Sequence, residues 1–402
     1  MKKEIQDYLS PIDLNSFVKF KKETLGSSIN IYSKENEFPK CESADIAIVG
    51  ISEYRGLSKF NFSKAKNPVR EKLNKAADYI RNEFYKLYNH FPKLKIIDVG
   101  NIKCGETVKD SYFALKTVVD YFISNNIFVI ILGGSNDIAY ANYLAYESLN
   151  KLINITFIDS TIDINEKDNC SSDSYINNII LKKPNFLFNI TNIGYQTYFN
   201  NNKILKVFDS MFFDTFRLGI AQENMDEVEP SIRNSDIVNF DVSCIKASDS
   251  PGSFKLSPNG FTGNEVCKLC RFTGSSDRVS SLGIYEYNPL KDKNFITAKL
   301  IAQMMWYFLE GFDNRTKESP YKSDHFIKYH VNSSLFENDI VFYKSRLTSR
   351  WWMEVECPDI LKKKFNNCYL VSCSYKDYLT ACNNELPDRW IQVYKKIDIE
   401  RI

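Results

Sequence analysis

The sequence predicts an α/β fold built on a mostly parallel sheet with helices on both faces. Two observations carry this. Apolar runs of strand length alternate with helical segments from about residue 44 onward. The runs are continuous rather than alternating in polarity, the pattern of strands buried on both faces. ADIAIVGI (44–51) is the first strand. A helical stretch follows around 67–89, with apolar residues three and four apart. KIIDVG (95–100) is the second strand, Asp110 to Ser124 a helix, FVIILGG (128–134) the third strand and Ile138 to Leu149 a helix. LINITFID (152–159) is the fourth strand. NFLFNIT (185–191), KILKVFD (203–209), DIVNFDV (236–242) and SSLGIYEY (280–287) are the later strand candidates, with helices between several of them.

Composition removes several classes of function. The chain has 402 residues, 44% hydrophobic and 25% charged, and 52 basic residues offset 50 acidic ones. No basic field argues for nucleic acid and no acidic tail for a solvating role. The opening MKKEIQDYLSPIDLNSF has no apolar stretch after its lysines, so it does not read as a signal peptide. No run approaches the roughly 18 apolar residues of a membrane span. Ten cysteines show no framework spacing, and reduced thiols in a cytoplasmic protein are expected. The CxxC at Cys267 and Cys270 lies in a helical pattern and lacks a second pair, so both are read as buried thiols rather than zinc ligands. Neither G-x-G-x-x-G nor a P-loop is present, which places a nucleotide-binding enzyme last among the readings. After about residue 315 the character changes, to DIVFYKSRLTSRWWMEVECP (339–358) and an irregular cysteine-containing tail. Trp351 and Trp352 are expected to anchor this segment to the body, with a partner subunit as the alternative.

Parallel sheets place their chemistry just beyond the carboxyl ends of the strands. Those ends read GGSNDIA (133–139), DSTID (159–163), NFDVSCIKASDSPG (239–252) and YEYNP (285–289). Singly, each is a tight exit or a helix cap. Together their carboxylates converge on one rim.

In order and spacing these ends resemble the motifs of the ureohydrolases, the arginase, agmatinase and formiminoglutamase family: GGDHS, DAHxD and SxDxDxxDPxxxPG, then a glutamate strand ending near an NP pair. NGFTGNEV (259–266) resembles the NGLTxxE segment that opens the next family helix. Weaker matches at ADIAIVGISEYRG and IIDVGNIKCGET extend the similarity to roughly residues 44–310. The resemblance implies a three-layer α/β/α sandwich with a mostly parallel sheet of about eight strands. It implies an N-terminal extension over 1–43, a family-like domain over 44–315 and a C-terminal extension over 316–402, packed on the domain or on a partner subunit. A homo-oligomer is also expected.

The family holds two Mn²⁺ ions with two His and four Asp, and a bridging hydroxide attacks a guanidinium or formimino carbon. Carried onto this chain, the first site becomes Asn136, Asp159, Asp163 and Asp241, with Asn136 in place of a His. That set still suits one hard divalent cation such as Mn²⁺ or Mg²⁺. The second site's own ligands become Thr161 and Ser243, poor substitutes for an imidazole and a carboxylate, so a two-metal centre is not expected. Ser135 and Lys246 stand where the family has carboxylates. His90, His325 and His330 lie outside every motif, so the family's proton-transferring His has no counterpart. Three neighbouring carboxylates need a neutralising cation, either Lys246 or one metal ion. Glu286 occupies the family's amidine-binding position, implying an amidine or guanidino ligand, with a strand-end Glu paired to a basic residue as the plain alternative. The expected protein is therefore either a family member that binds without hydrolysing, or does so weakly, or a metal-dependent C–N hydrolase of the formimidoylglutamase kind.

Overall fold

The computed structural model describes residues 5–57, 64–165, 170–318, 320, 324–332, 339–365 and 368–399. Its main sheet contains β1 (Leu9–Ser10), β2 (Asn30–Ile31), β3 (Ile46–Gly50), β4 (Ile96–Ile102), β5 (Phe128–Leu132), β6 (Ile153–Ile158), β7 (Leu187–Tyr195), β8 (Asp214–Arg217), β9 (Ile237–Asp241) and β10 (Ser281–Tyr285). The spatial order is β1-β4-β3-β5-β10-β9-β6-β7-β8, with β2 also paired to β4. All pairings are parallel except β1 with β4.

Continuous apolar strands bury both faces. Ile46, Ile48, Phe128, Ile130, Val238 and Leu282 face one core, packed with residues of the helices Ala76–Phe84, Gly263–Ser275 and Ile296–Asp313. The alternate residues Ala47, Val49, Val129, Ile131 and Ile237 face the other, with the helices Val108–Ser124, Ile138–Leu144 and Tyr175–Leu181. The result is the three-layer α/β/α sandwich. Cys267 and Cys270 are buried on the helix Gly263–Ser275, which Thr262 and Glu265 cap reciprocally. Among the described residues no helix is long and apolar enough to cross a membrane.

Two expectations need correction. KILKVFD (203–209) is not a strand; it lies within the helix Asn202–Ser210. Ile204, Leu205 and Phe208 fall three and four apart, so one side of the helix meets the sheet. The strand beyond it is β8, whose sequence DTFR carries no strand signal. The C-terminal segment is also not irregular. It forms an antiparallel sheet of β11 (Phe326–Val331), β12 (Ile340–Ser345), β13 (Trp351–Glu354) and β14 (Leu370–Cys373), followed by the helices Tyr375–Cys382 and Asp388–Ile399. Its core includes Phe342, Trp351, Met353, Val371 and Trp390, and reaches Phe188 of β7. Trp351 and Trp352 pack within this chain. Arg233 donates to the carbonyls of Trp351 (3.1 Å) and Cys373 (3.2 Å), and its guanidinium lies 4.4 Å over the Trp352 ring.

Candidate functional site

Four adjacent strands, β5, β10, β9 and β6, deliver the candidate residues to one rim. Asp241 ends β9 and pairs in register with Tyr285, the last residue of β10, so Glu286 follows just beyond that strand's end. Ile158 pairs with Phe240, so Asp159 emerges beside Asp241. After β5 the chain turns through Gly133 (φ +93°) and Gly134 (φ +82°), where a side chain would be strained and a Cβ on Gly133 would sit 2.7 Å from the Ile51 carbonyl oxygen. This turn swings Asn136 over the strand ends. Asn136, Asp159, Asp163, Asp241 and Glu286 are all buried, Glu286 completely.

The centre of the cluster is an amide. Asn136 Nδ2 donates to Asp241 Oδ2 at 2.7 Å and to Asp159 Oδ2 and Asp163 Oδ2 at 3.3 Å each. Two N–H bonds thus face three carboxylates, so one hydrogen is shared. The Thr161 hydroxyl donates to Asp163 Oδ1 (3.0 Å) and Asp159 Oδ1 (3.3 Å). The Ser243 N–H donates to Asp241 Oδ1 at 2.6 Å. Glu286 adopts a left-handed backbone (φ 64°), a conformation costing a non-glycine residue about 1 kcal/mol or more. Its Oε1 accepts from the Asn136 N–H at 3.0 Å; its Oε2 is buried with no donor.

The expected neutralising cation is the wrong lysine. Lys246 lies 3.6 Å from Asp249, away from the cluster. Lys255 is the one that faces it, 2.8 Å from Asp173 and 4.0 Å from Asp163. It sits in the loop after the third motif, where no periodicity marks its direction. Burial raises the pKa of each carboxylate in the cluster. Asp163 is pushed to about 6 by burial and by Asp241 and Asp173, against the pull of Lys255. Asp159 rises through burial and the charges of Asp241 and Asp163; Asp241 rises through burial, opposed by Lys255. Glu286 is held well above the carboxylate range by burial and Asp241. The Lys255 ammonium, penalised by burial, is nevertheless favoured by Asp163, Asp241, Glu286 and Asp159. Behind Asn136, burial raises Asp137 to about 6, and it accepts from Ser135 Oγ (2.5 Å) and the Tyr112 hydroxyl. Sequence reasoning singled out neither Lys255 nor Asp137.

A cleft of about 390 Å³ opens onto the cluster, lined in part by Thr161, Asp163, Asp173, Ser243 and Lys255. At the positions the resemblance gives to the second metal's own ligands stand two neutral hydroxyls, Thr161, which donates to Asp163 and Asp159, and Ser243. Among the described residues no three His, Cys, Asp or Glu side chains form a metal-holding group. One hard cation matches the oxygen chemistry of Asp159, Asp163 and Asp241 provided Asn136 turns its carbonyl inward as a fourth donor. His90 packs against Trp306 and His330 lies 3.7 Å from Asp339, both outside the cluster.

Comparison with known proteins agrees with this fold. The chain is 28% identical over 225 residues to the formimidoylglutamase of Staphylococcus aureus (strain MRSA252), covering 54% of this chain and 72% of that one. Its fold is similar to the crystal structure of Trypanosoma cruzi formiminoglutamase with Mn²⁺ (TM-score 0.63, 18% identity, 74% of this chain and 100% of that one). It is also similar to formimidoylglutamase from Bacillus subtilis (TM-score 0.62, 16% identity, 78% of this chain and 99% of that one). The Arginase family model matches residues 45–310, more than half of the sequence, and the chain belongs to the arginase family.

Proposed function

We propose that this arginase-family protein binds a small amidine- or guanidine-bearing molecule in a cleft where side chains have replaced the two-metal hydrolytic centre. The observation that carries the reading is the Asn136 amide, whose Nδ2 donates to three carboxylates at 2.7–3.3 Å, the place implied for the first metal. Lys255 supports it, bringing a positive charge to the side where Thr161 and Ser243 replace the second metal's own ligands. Glu286 Oε2 supports the ligand class, since a buried acceptor without a donor is completed by an amidinium N–H. The cluster has room in its chemistry for one divalent cation, held by Asp159, Asp163, Asp241 and the Asn136 carbonyl. Such an ion would neutralise the carboxylates and polarise a ligand atom. The protein is proposed to be a homo-oligomer, which light scattering on the purified chain tests.

Metal analysis paired with turnover is the direct test. The expected result is at most one divalent ion per chain and no release of urea or formamide from a panel of guanidino and formimino substrates with Mn²⁺ present. Two ions per chain would overturn the replacement of the second site. The second reading is an active C–N hydrolase of the formimidoylglutamase kind, favoured by the retained and unpartnered Glu286 carboxylate. Formamide release from formiminoglutamate that vanishes in Asp163→Ala would establish it.

A further inference from the structure

The backbone of Lys255 is fixed beside the carboxylate cluster, and only its side chain has a choice of acids. Ser253 is buried and bridges to Tyr287, the residue after Glu286. Its hydroxyl accepts from the Lys255 N–H at 3.2 Å and donates to the Lys255 carbonyl at 3.1 Å. The ammonium then stands between two carboxylates, 2.8 Å from Asp173 Oδ1 and 4.0 Å from Asp163 Oδ1. These acids differ in depth. The Asp163 side chain is 4% exposed and belongs to the cluster, whereas that of Asp173 is 28% exposed and stands at the rim of the cleft.

Asp163 therefore faces two ways. Its Oδ2 accepts from Asn136 Nδ2 at the centre of the cluster, and its Oδ1 is the atom nearest Lys255. The positive charge of Lys255 favours the ionised form of Asp159, Asp163, Asp241 and Glu286 alike, against their burial. A divalent ion on Asp159, Asp163, Asp241 and the Asn136 carbonyl would give the same neutralisation with twice the charge and with direct bonds to oxygen. Both cations cannot sit close to Asp163 at once, because like charges a few ångströms apart in a buried site repel strongly.

We infer that Lys255 is a built-in counterion that competes with a divalent cation for Asp159, Asp163 and Asp241, and that Asp173 keeps its ammonium at the rim when the metal is bound. The lysine, and not the ligand set alone, then sets how tightly this chain holds metal. This inference rests on the one-cation site proposed above and deepens it.

Calorimetric titration of the EDTA-stripped full chain with MnCl₂ tests it, in the parent, Lys255→Met, Lys255→Arg, Asp173→Asn and the double variant Lys255→Met/Asp173→Asn. Lys255→Met should bind one Mn²⁺ at least about ten-fold more tightly than the parent. Lys255→Arg keeps the charge and should stay within about three-fold of the parent. Asp173→Asn should weaken Mn²⁺ binding about five-fold where Lys255 is present, and less than about two-fold where it is Met. In EDTA, Lys255→Met should melt below the parent, and Mn²⁺ should close that gap. If Lys255→Met does not fold in EDTA, it is purified in Mn²⁺ and the metal retained across a graded EDTA series is read instead. Equal or weaker Mn²⁺ binding in Lys255→Met overturns the inference, while one ion bound by the parent leaves the one-cation site standing. An effect of Asp173→Asn that is the same with and without Lys255 overturns the part given to Asp173. Mn²⁺ binding by neither parent nor variant overturns both the inference and the one-cation site.

Discussion

Asn136→Asp exchanges the central amide for a carboxyl group of nearly the same shape. The three neighbouring oxygens lie 2.7–3.3 Å from the atom replaced. At about 3 Å and an effective dielectric of roughly 20, each ionised neighbour would repel a new charge by about 5 kcal/mol. The side chain avoids this by staying protonated. Holding a carboxyl neutral at pH 7, about three units above its ordinary pKa, costs about 4 kcal/mol at 1.36 kcal/mol per unit. That sets the expected destabilisation in EDTA. For a chain of 402 residues it corresponds to a fall in Tm of about 5 °C. The folded-state pKa of the new group is raised, so the penalty is absent below about pH 4 and grows as pH rises towards 7. Adding Mn²⁺ at a hundred times its Kd should return about 2.7 kcal/mol, because four carboxylates now face one cation. The assay is thermal or urea unfolding of the variant and its parent at pH 4, 5.5 and 7, with EDTA or Mn²⁺. A variant within about 1 kcal/mol of its parent in EDTA at pH 7, with a difference flat in pH, would show that the amide is not what holds the carboxylates together.

Three further outcomes are expected. Glu286→Gln should weaken guanidinium binding roughly 30-fold, since a charge-assisted bond worth about 2 kcal/mol becomes neutral; calorimetry reads it. Lys396 donates to Asn189 Oδ1 at 2.5 Å, and burial lowers its pKa to about 8 against the pull of Asp214. Its folded pKa is below the unfolded value, so the penalty is full below pH 8 and is relieved as pH rises from 8 towards 10.5. Discounted for partial exposure, the gain is about 2 kcal/mol, and Lys396→Met should flatten that rise in urea titrations. Arg81 is fully buried, with Nε and Nη2 on Asp98 at 2.8 and 3.0 Å. Arg81→Leu should therefore cost about 3–5 kcal/mol in equilibrium unfolding, because Asp98 is left as an uncompensated buried charge; a loss under 1 kcal/mol would contradict that.

The strand ends were legible because a parallel sheet leaves few places for chemistry. Asp159, Asp163, Asp241, Asn136 and Glu286 each follow a continuous apolar run, and adjacency in the sheet then brings them together. What escaped depends on contacts that no local pattern encodes. Lys246 and Lys255 are equally basic and close in sequence; which one turns inward is decided by the fold of the intervening loop. The segment 203–209 mixes Ile204, Leu205 and Phe208 with lysines, and a short apolar run does not separate a strand from a helix. β8 is four residues at the sheet's edge, with too little apolar surface to announce itself. The C-terminal strands were hidden differently. On β11 the burial of FIKYHV is only partial until Val331, so its sequence reads as surface although its backbone is fully paired with β12.

Arg233 also bears on how separable the C-terminal sheet is from the rest of the chain. Its guanidinium serves two carbonyls of the C-terminal sheet and covers Trp352, while its own carbonyl accepts from the Ser276 hydroxyl at 3.0 Å. A chain lacking that sheet would leave the two terminal nitrogens of Arg233 without their carbonyls, with only Glu229 still held by its Nε at 3.0 Å, and an apolar face open to water. With Arg233 turned outward, the sheet cannot be deleted without destabilising the domain beneath it.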